Sequence, residues 1–329
     1  MDRTDIIRLS RAVVAVTGLR EHATGGKAGT GPTALLVGLC TLDLVQRVRE
    51  LPESGQKIQS DSVELVAGGP ATNAAVTVAA LGGTARLLTV LGAHPLADIV
   101  RDDLRDCQVR VFDALSSFPG PPPVSSVAVR AGDGERVVVA HNAAGMPDLL
   151  TQPSWPSLLA GVGALLVDGH HPALAVSAAR AARARDIPVL LDAGSDKPVL
   201  TQLLPLVDIC ACSASFRLGR AGPRATERSV HELGVPIVIR TNGASPVRWS
   251  LRTPEGRMVS GSVAPPRVPA RDTLAAGDVW HGALSHQIAH LGQLPSAEEL
   301  PELIDAANQI AAIRVATPGA RAWLAELRS

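Results

Sequence analysis

The chain has 329 residues, 46% hydrophobic and 19% charged, a balance that excludes a disordered polymer and supports a substantial core. Lys+Arg and Asp+Glu both number 31, so no net charge draws it to nucleic acid or to a membrane surface. Tyr is absent, Phe numbers 3 and Trp 4, too few for the stacking platforms of single-strand nucleic-acid binding, and no run has transmembrane length. A cytoplasmic enzyme with an aliphatic core is the expectation.

Residues 1–32 are expected to form a flexible N-terminal extension. Arg3, Arg8 and Arg11 before the apolar run 12–19 imitate a signal peptide, but Asp2 and Asp5 dilute the positive end and no small-residue cleavage site follows. Gly25-Gly26-Lys27-Ala28 lacks the upstream Gly and the Ser/Thr of a phosphate loop. Residues 33–329 then read as one domain. Its first apolar run, 34–39, suits a buried parallel strand ending near Asp43, at the edge where open α/β sheets bind ligands. A lone Asp there is otherwise a cap or turn residue.

Residues 57–66, and 124–139 around Gly132-Asp133-Gly134, alternate polar and apolar side chains. They are expected in a small accessory sheet, built from segments at about 43–66 and 120–142. Between them, 74–81 reads as a helix, 85–91 as a strand and 95–107 as a helix. From residue 164, strands at 165–167, 187–191, 207–212 and 236–240 alternate with helices at 172–185, 198–204 and 225–233. That alternation means βαβ units and a mostly parallel sheet covered on both faces. Helices to about 291, starting at Asp278, and at 301–316 close the chain. Cys40, Cys107, Cys210 and Cys212 have no metal-like pairing, and His286-Gln287-Ile288-Ala289-His290 has Gln where a zinc protease carries Glu.

Two stretches carry chemistry. In Asp272-Thr273-Leu274-Ala275-Ala276-Gly277-Asp278, the small residues Ala275, Ala276 and Gly277 let the backbone turn tightly and aim N–H groups from a helix N-terminus, an anion hole. Asp278 sets a carboxylate at the same spot, suited to take a proton from a hydroxyl while the N–H groups hold phosphoryl charge. An N-capping Asp is the ordinary alternative. In Ala67-Gly68-Gly69-Pro70-Ala71-Thr72-Asn73-Ala74-Ala75, Gly68 and Gly69 admit a ligand close to the backbone and Asn73 both donates and accepts; a turn and helix cap would read the same way.

Together with Gly82 and Gly92, these stretches resemble the two signatures of the PfkB (ribokinase-like) carbohydrate kinase family, in the right order and with matching spacing. The resemblance runs from about Thr33 to the C-terminus. It implies a ribokinase-like three-layer α/β/α sandwich with a mostly parallel sheet plus a small β lid, and a homodimer formed through that lid. It implies an ATP-dependent sugar kinase with Asp278 as base. Asp43, Gly68, Gly69, Asn73, Arg136, Asp168 and His170 would line the sugar site. Thr241, Asn242 and Gly243 resemble the nucleotide-contacting turn, and Asn308, Ala312 and Gly319 the adenine-side wall. Asp272 stands where relatives hold a monovalent cation such as K⁺, with Leu274 in place of the more frequent Thr.

One departure stands out. Many relatives carry an Asn-x-x-Glu motif that organises Mg²⁺; here the sequence is Cys212-Ser213-Ala214-Ser215-Phe216. Asp192 at the end of the preceding strand is the candidate replacement, and Lys197 a candidate phosphate partner. Val167-Asp168-Gly169-His170 loosely resembles the Glu-Gly-Arg of the ketohexokinase branch, which points first to a ketose and second to ribose. The rival readings are a nucleoside kinase of adenosine type and a sugar-binding relative that has lost catalysis.

Overall fold

The computed structural model describes residues 31–143 and 153–327; the N-terminal extension therefore lies outside the described residues, apart from its last two positions. A nine-stranded sheet has the order β13-β12-β11-β10-β9-β8-β1-β4-β5. Its centre is β1 (Thr33–Val37), flanked in parallel by β4 (Thr84–Thr89) and β8 (Val162–Val167). Beyond them β5 (Arg110–Asp113), β9 (Val189–Ala193), β10 (Ile209–Cys212) and β11 (Ile237–Asn242) continue the parallel order, while β12 (Ser245–Arg252) and β13 (Met258–Val263) add an antiparallel edge. Aliphatic runs such as Ala34-Leu35-Leu36-Val37 are buried on both faces, as a covered parallel sheet requires.

One face carries α1 (Pro70–Ala80), α2 (Pro95–Asp106), α5 (Ala276–Leu291) and α6 (Leu300–Ala316). The other carries α3 (Pro172–Arg183) and α4 (Pro223–Glu232). Every residue from Ala71 to Val78 in α1 is buried, so this helix has no polar face. It is clasped against α5, where a Cβ on Gly282 would lie 2.6 Å from the Thr77 β-carbon.

A second sheet, β3-β2-β6-β7, stands apart: β2 (Thr41–Val48), β3 (Ser62–Gly68), β6 (Val124–Arg130) and β7 (Arg136–His141). Asp43 is therefore not at the end of the first strand as expected. Gly38-Leu39-Cys40 breaks the run and Asp43 sits inside β2, which belongs to this small sheet. Residues 57–60 precede β3 without joining it. Strand β5 and the antiparallel pair β12 and β13 lie beyond the strands read from the sequence, although Val247, Trp249 and Leu251 alternate in the strand pattern.

Register assigns the small sheet two faces. Leu44 pairs with Leu65 and Ser126, and Ser126 with Val139; Gln46 pairs with Val63 and Ala128, and Ala128 with Val137. This outer face leaves Val139 70%, Val63 56%, Leu65 48% and Val137 48% exposed. The inner face carries Asp43, Val45 and Arg47, and its core of Val45, Val66, Val127 and Val129 packs on Ala320 and Leu274.

Candidate active site

The start of α5 governs the site. Ala275, in the left-handed region at φ 59°, precedes the first helical residue without any side-chain cap. The helix therefore opens with N–H groups that have no intrahelical carbonyl to meet, next to the positive end of its dipole. Ala276 N–H spans a long 3.4 Å to Thr273 O, and a Cβ on Gly277 would meet nothing, so the cleft side is open. Ala275, Ala276 and Gly277 thus lie together at the open N-terminus of α5.

Asp278, in the first turn, accepts a 2.9 Å hydrogen bond from Asn73 Nδ2 of α1. It is half-buried by surface area yet closely ringed by protein. Burial, and then the Asp192 carboxylate, push its carboxyl up to about 7, against the Asn73 hydrogen bond and His281, which act downward. Asn73 is held in turn by Arg321, whose Nη1 lies 3.4 Å from Asn73 Oδ1 while Nη2 donates to Ala67 O at 2.6 Å and to Asp103 Oδ2 at 2.8 Å.

Asp192 ends β9 opposite His281, whose Nδ1 is 3.0 Å from Asp192 Oδ2. The contact is an ion pair at hydrogen-bond distance, and His281 Nε2 meets no partner among the described residues. Burial acts against both charges. The pair wins: Asp192 lies below the ordinary carboxyl value and His281 above the ordinary imidazole value. His281 follows Asp278 by three residues, hence on the same helix face. That spacing could have identified it from sequence, as could Arg314, a lone charge inside the apolar run 310–315. Arg321 left no local signal.

The sugar-side candidates divide. Asp43 is buried, accepts from Thr41 Oγ1 at 2.6 Å and is raised above the ordinary carboxyl value, chiefly by burial. Gly68 faces it so closely that a Cβ would overlap the carboxylate. Gly69, at φ 98°, caps α1 with a backbone that a Cβ would drive into Leu39 O. Asp168 turns its carboxylate to the main chain, accepting N–H groups of Leu39 (2.9 Å), Ala71 (3.2 Å) and His170 (2.9 Å), which ties together the ends of β1 and β8 and the start of α1. His170 is half-buried there, lowered by burial, with Lys197 adding to the effect. Arg136 is exposed and donates to Thr273 Oγ1 at 2.7 Å, beside the anion hole.

On the nucleotide side, Thr241 and Asn242 finish β11 and Gly243, at φ 54°, starts the tight turn to β12. Asn308 is buried between α5 and α6, accepting from Trp280 Nε1 at 2.9 Å, with Nδ2 unpartnered; Ala312 is buried one turn on. Gly319 groups instead with Asp272, to which its N–H donates at 3.2 Å. A cavity of about 1200 Å³ lies elsewhere, between α4 and β11–β13; its lining includes Arg217, Arg240, Asn242, Arg248 and Trp249 but none of Asp278, Asn73 or Asp192.

Magnesium and potassium fare differently. Mg²⁺ wants a few hard oxygens and keeps several waters. Asp192 is ionised, with one oxygen on His281, and no group of three or more His, Cys, Asp or Glu able to hold a metal occurs among the described residues. These residues fit an ion that arrives with its nucleotide and is steadied by one carboxylate. Asp272 does not fit a monovalent cation. Its buried carboxylate is ion-paired to Arg47 and Arg314, which outweigh burial and hold it below the ordinary value.

The chain matches the pfkB family carbohydrate kinase description over residues 32–326. It is 24% identical to a ribokinase of Schizosaccharomyces pombe across 89% of this chain and 95% of the relative. Among solved structures, Arabidopsis thaliana ribokinase complexed with ribose and ATP is similar at TM-score 0.69 and 20% identity, covering 91% of this chain and 99% of the other. Fructokinase with bound ATP from Xylella fastidiosa gives 0.68 and 20%, covering 90% and 96%.

Proposed function

Because the chain belongs to the pfkB family of carbohydrate kinases, phosphotransferases that act on sugar hydroxyls, we propose that Asp278 is the base of an ATP-dependent sugar kinase. The observation that carries this is a carboxyl held near pH 7 at the open N-terminus of α5. A base poised there is about half ionised at neutral pH, so it can accept a proton and release it again. The acceptor hydroxyl gives its proton to Asp278 as its oxygen bonds the γ-phosphorus, and the bond from that phosphorus to the ADP oxygen breaks. The backbone at Ala275, Ala276 and Gly277 faces the equatorial charge.

Around that step the other side chains bind and orient. Asn73 aligns Asp278 and is itself steadied by Arg321. Asp43, with Gly68 yielding room beside it, offers a carboxylate to sugar hydroxyls from inside the lid sheet. Asp168 acts as a clasp that shapes the floor, and His170 with Lys197 borders it. Thr241, Asn242, Gly243, Asn308 and Ala312 are the nucleotide candidates. Mg²⁺, bound to the nucleotide, would neutralise phosphate charge, with Asp192 as the carboxylate that steadies it.

With Asp168 engaged by the backbone, its likeness to the ketohexokinase string no longer favours a ketose, and the ribokinase relative puts ribose first among test substrates. The exposed apolar face of the lid sheet is the basis for a homodimer through the lid. An ATP-consumption screen across pentoses, ketoses and nucleosides tests the reading. Turnover with ribose or another sugar supports it; turnover confined to nucleosides, or none with any acceptor, overturns it.

A further inference from the structure

The Asp272 carboxylate is saturated by cationic and backbone donors. Its Oδ2 accepts from Arg47 Nη2 on β2, from Arg314 Nη2 at 3.0 Å on α6 and from the Gly319 N–H at 3.2 Å, while Oδ1 accepts from the Leu274 N–H at 3.0 Å. Arg314 Nη1 goes on to donate to the Thr317 carbonyl at 3.1 Å. Oδ2 therefore already faces two guanidinium groups, and Oδ1 already accepts a backbone N–H. Arg314 is 1% exposed, so it is part of the interior.

A second observation points the same way. Leu274 lies two residues past Asp272, and its side chain packs against the cluster of Val45, Val66, Val127, Val129 and Ala320. It supplies an apolar wall and no side-chain oxygen. Arg47 is shared with Glu64, whose Oε1 lies 3.8 Å from its Nε, so two guanidinium groups face two carboxylates and the cluster is charge-balanced without a further cation. Guanidinium also suits the position better than a bare ion: it is permanently charged, weakly hydrated and forked.

We propose that Arg47 and Arg314 are a built-in replacement for the monovalent cation, so that the loop leading into the anion hole is held without K⁺. The part concerning catalysis rests on the kinase reading; the part concerning cation binding does not. The replacement also has a geometry that an ion from solution lacks. Arg47 belongs to the lid sheet and Arg314 to α6, so the charge is complete only when the lid meets the loop. Arg136 to Thr273 Oγ1 at 2.7 Å, and Thr273 Oγ1 to Gly134 O at 3.0 Å, fasten the same loop to the turn between β6 and β7.

The test compares chloride salts of K⁺, Na⁺ and Cs⁺ with tetramethylammonium at constant ionic strength, reading both the melting temperature and the rate on the best sugar from the screen. The expected result is coincident melting curves and rates within about twofold of one another. Arg314→Ala should slow turnover by roughly tenfold or more and should regain about fivefold on adding guanidinium chloride at low millimolar concentration. A wild-type rate raised about fivefold or more by K⁺ over tetramethylammonium, or a melting temperature raised by K⁺ alone, overturns the proposal. Should Arg314→Ala fail to fold, Arg47→Gln, in which one guanidinium remains, carries the same expectation of slower turnover and guanidinium rescue. If no acceptor is turned over in any salt, the kinase reading has failed, and the melting comparison still decides whether a cation binds.

Discussion

Asp278 has to be ionised to accept a proton, yet burial and Asp192 both favour its protonated form. Two predictions follow from that tension. Asp278→Asn keeps size and one hydrogen bond to Asn73 but cannot take the proton, so turnover falls by at least ~10²-fold while sugar binding changes far less. Steady-state rates and calorimetric titration of the sugar check this, and mutant turnover within a few-fold of wild type would remove Asp278 from the mechanism. In the wild type, kcat/KM should climb with pH and level off above about 7. Stability runs in the opposite direction. The folded carboxyl value exceeds the unfolded one, so its contribution is fully present below the unfolded value of 3.8 and is lost as pH rises through about 7. Asp278→Asn should therefore raise the melting temperature progressively between those two pH values and by a constant amount above them. Asp192 permits a separate test. Asp192→Ala should raise the Mg²⁺ concentration needed for half-maximal rate and leave sugar affinity nearly unchanged; superimposable Mg²⁺ titrations would reduce Asp192 to the partner of His281.

At the scale of elements, the lid sheet and α1 meet where Gly68 passes beneath Asp43. Adding a methyl there drives a Cβ into the carboxylate, which can yield only by swinging away from its Thr41 hydrogen bond. Gly68→Ala should weaken sugar binding by about tenfold or more and destabilise the fold by roughly 1–3 kcal/mol. Isothermal titration and urea unfolding separate the two effects, and unaltered sugar affinity would take Asp43 out of the binding site. The same region shows what a sequence can and cannot tell. The helix at 276–291 and the Gly-Gly turn were legible because small residues before an apolar helix have few other uses. The βαβ alternation after residue 164 was legible because buried parallel strands leave uninterrupted aliphatic runs. Asp43 was misplaced because the break at Gly38–Cys40 is short and both strands around it are apolar. The arginines at 47 and 321 left no trace for a different reason. Their partners lie 225 and 218 residues away, in Asp272 and Asp103, and no local pattern records such pairings; Arg314 stood out as a lone charge in an apolar run, but its partner, 42 residues away, did not.

For the whole molecule, the outer face of the lid sheet is an apolar surface on an otherwise charge-balanced protein, with Val63, Leu65, Val137 and Val139 all about half exposed or more. An apolar patch of this kind is the basis on which a homodimer through the lid is proposed. Light scattering at micromolar concentration should give about twice the 34.0 kDa chain mass, and Val139→Asp should shift it toward the single-chain value. A wild-type mass of 34.0 kDa would remove the dimer.

The inner face of that sheet carries Asp43 and Arg47, one at the proposed sugar site and one at the loop before the proposed anion hole. The proposed association on the outer face and the proposed chemistry on the inner face would be separated by the thickness of one β-sheet. If a second copy covers the outer face, mass action enters the rate law. Diluting the enzyme toward its dissociation constant uncovers the valines, loosens the sheet that holds Asp43 and Arg47, and lowers the activity of each molecule as well as their number. Specific activity plotted against enzyme concentration would then trace a binding curve.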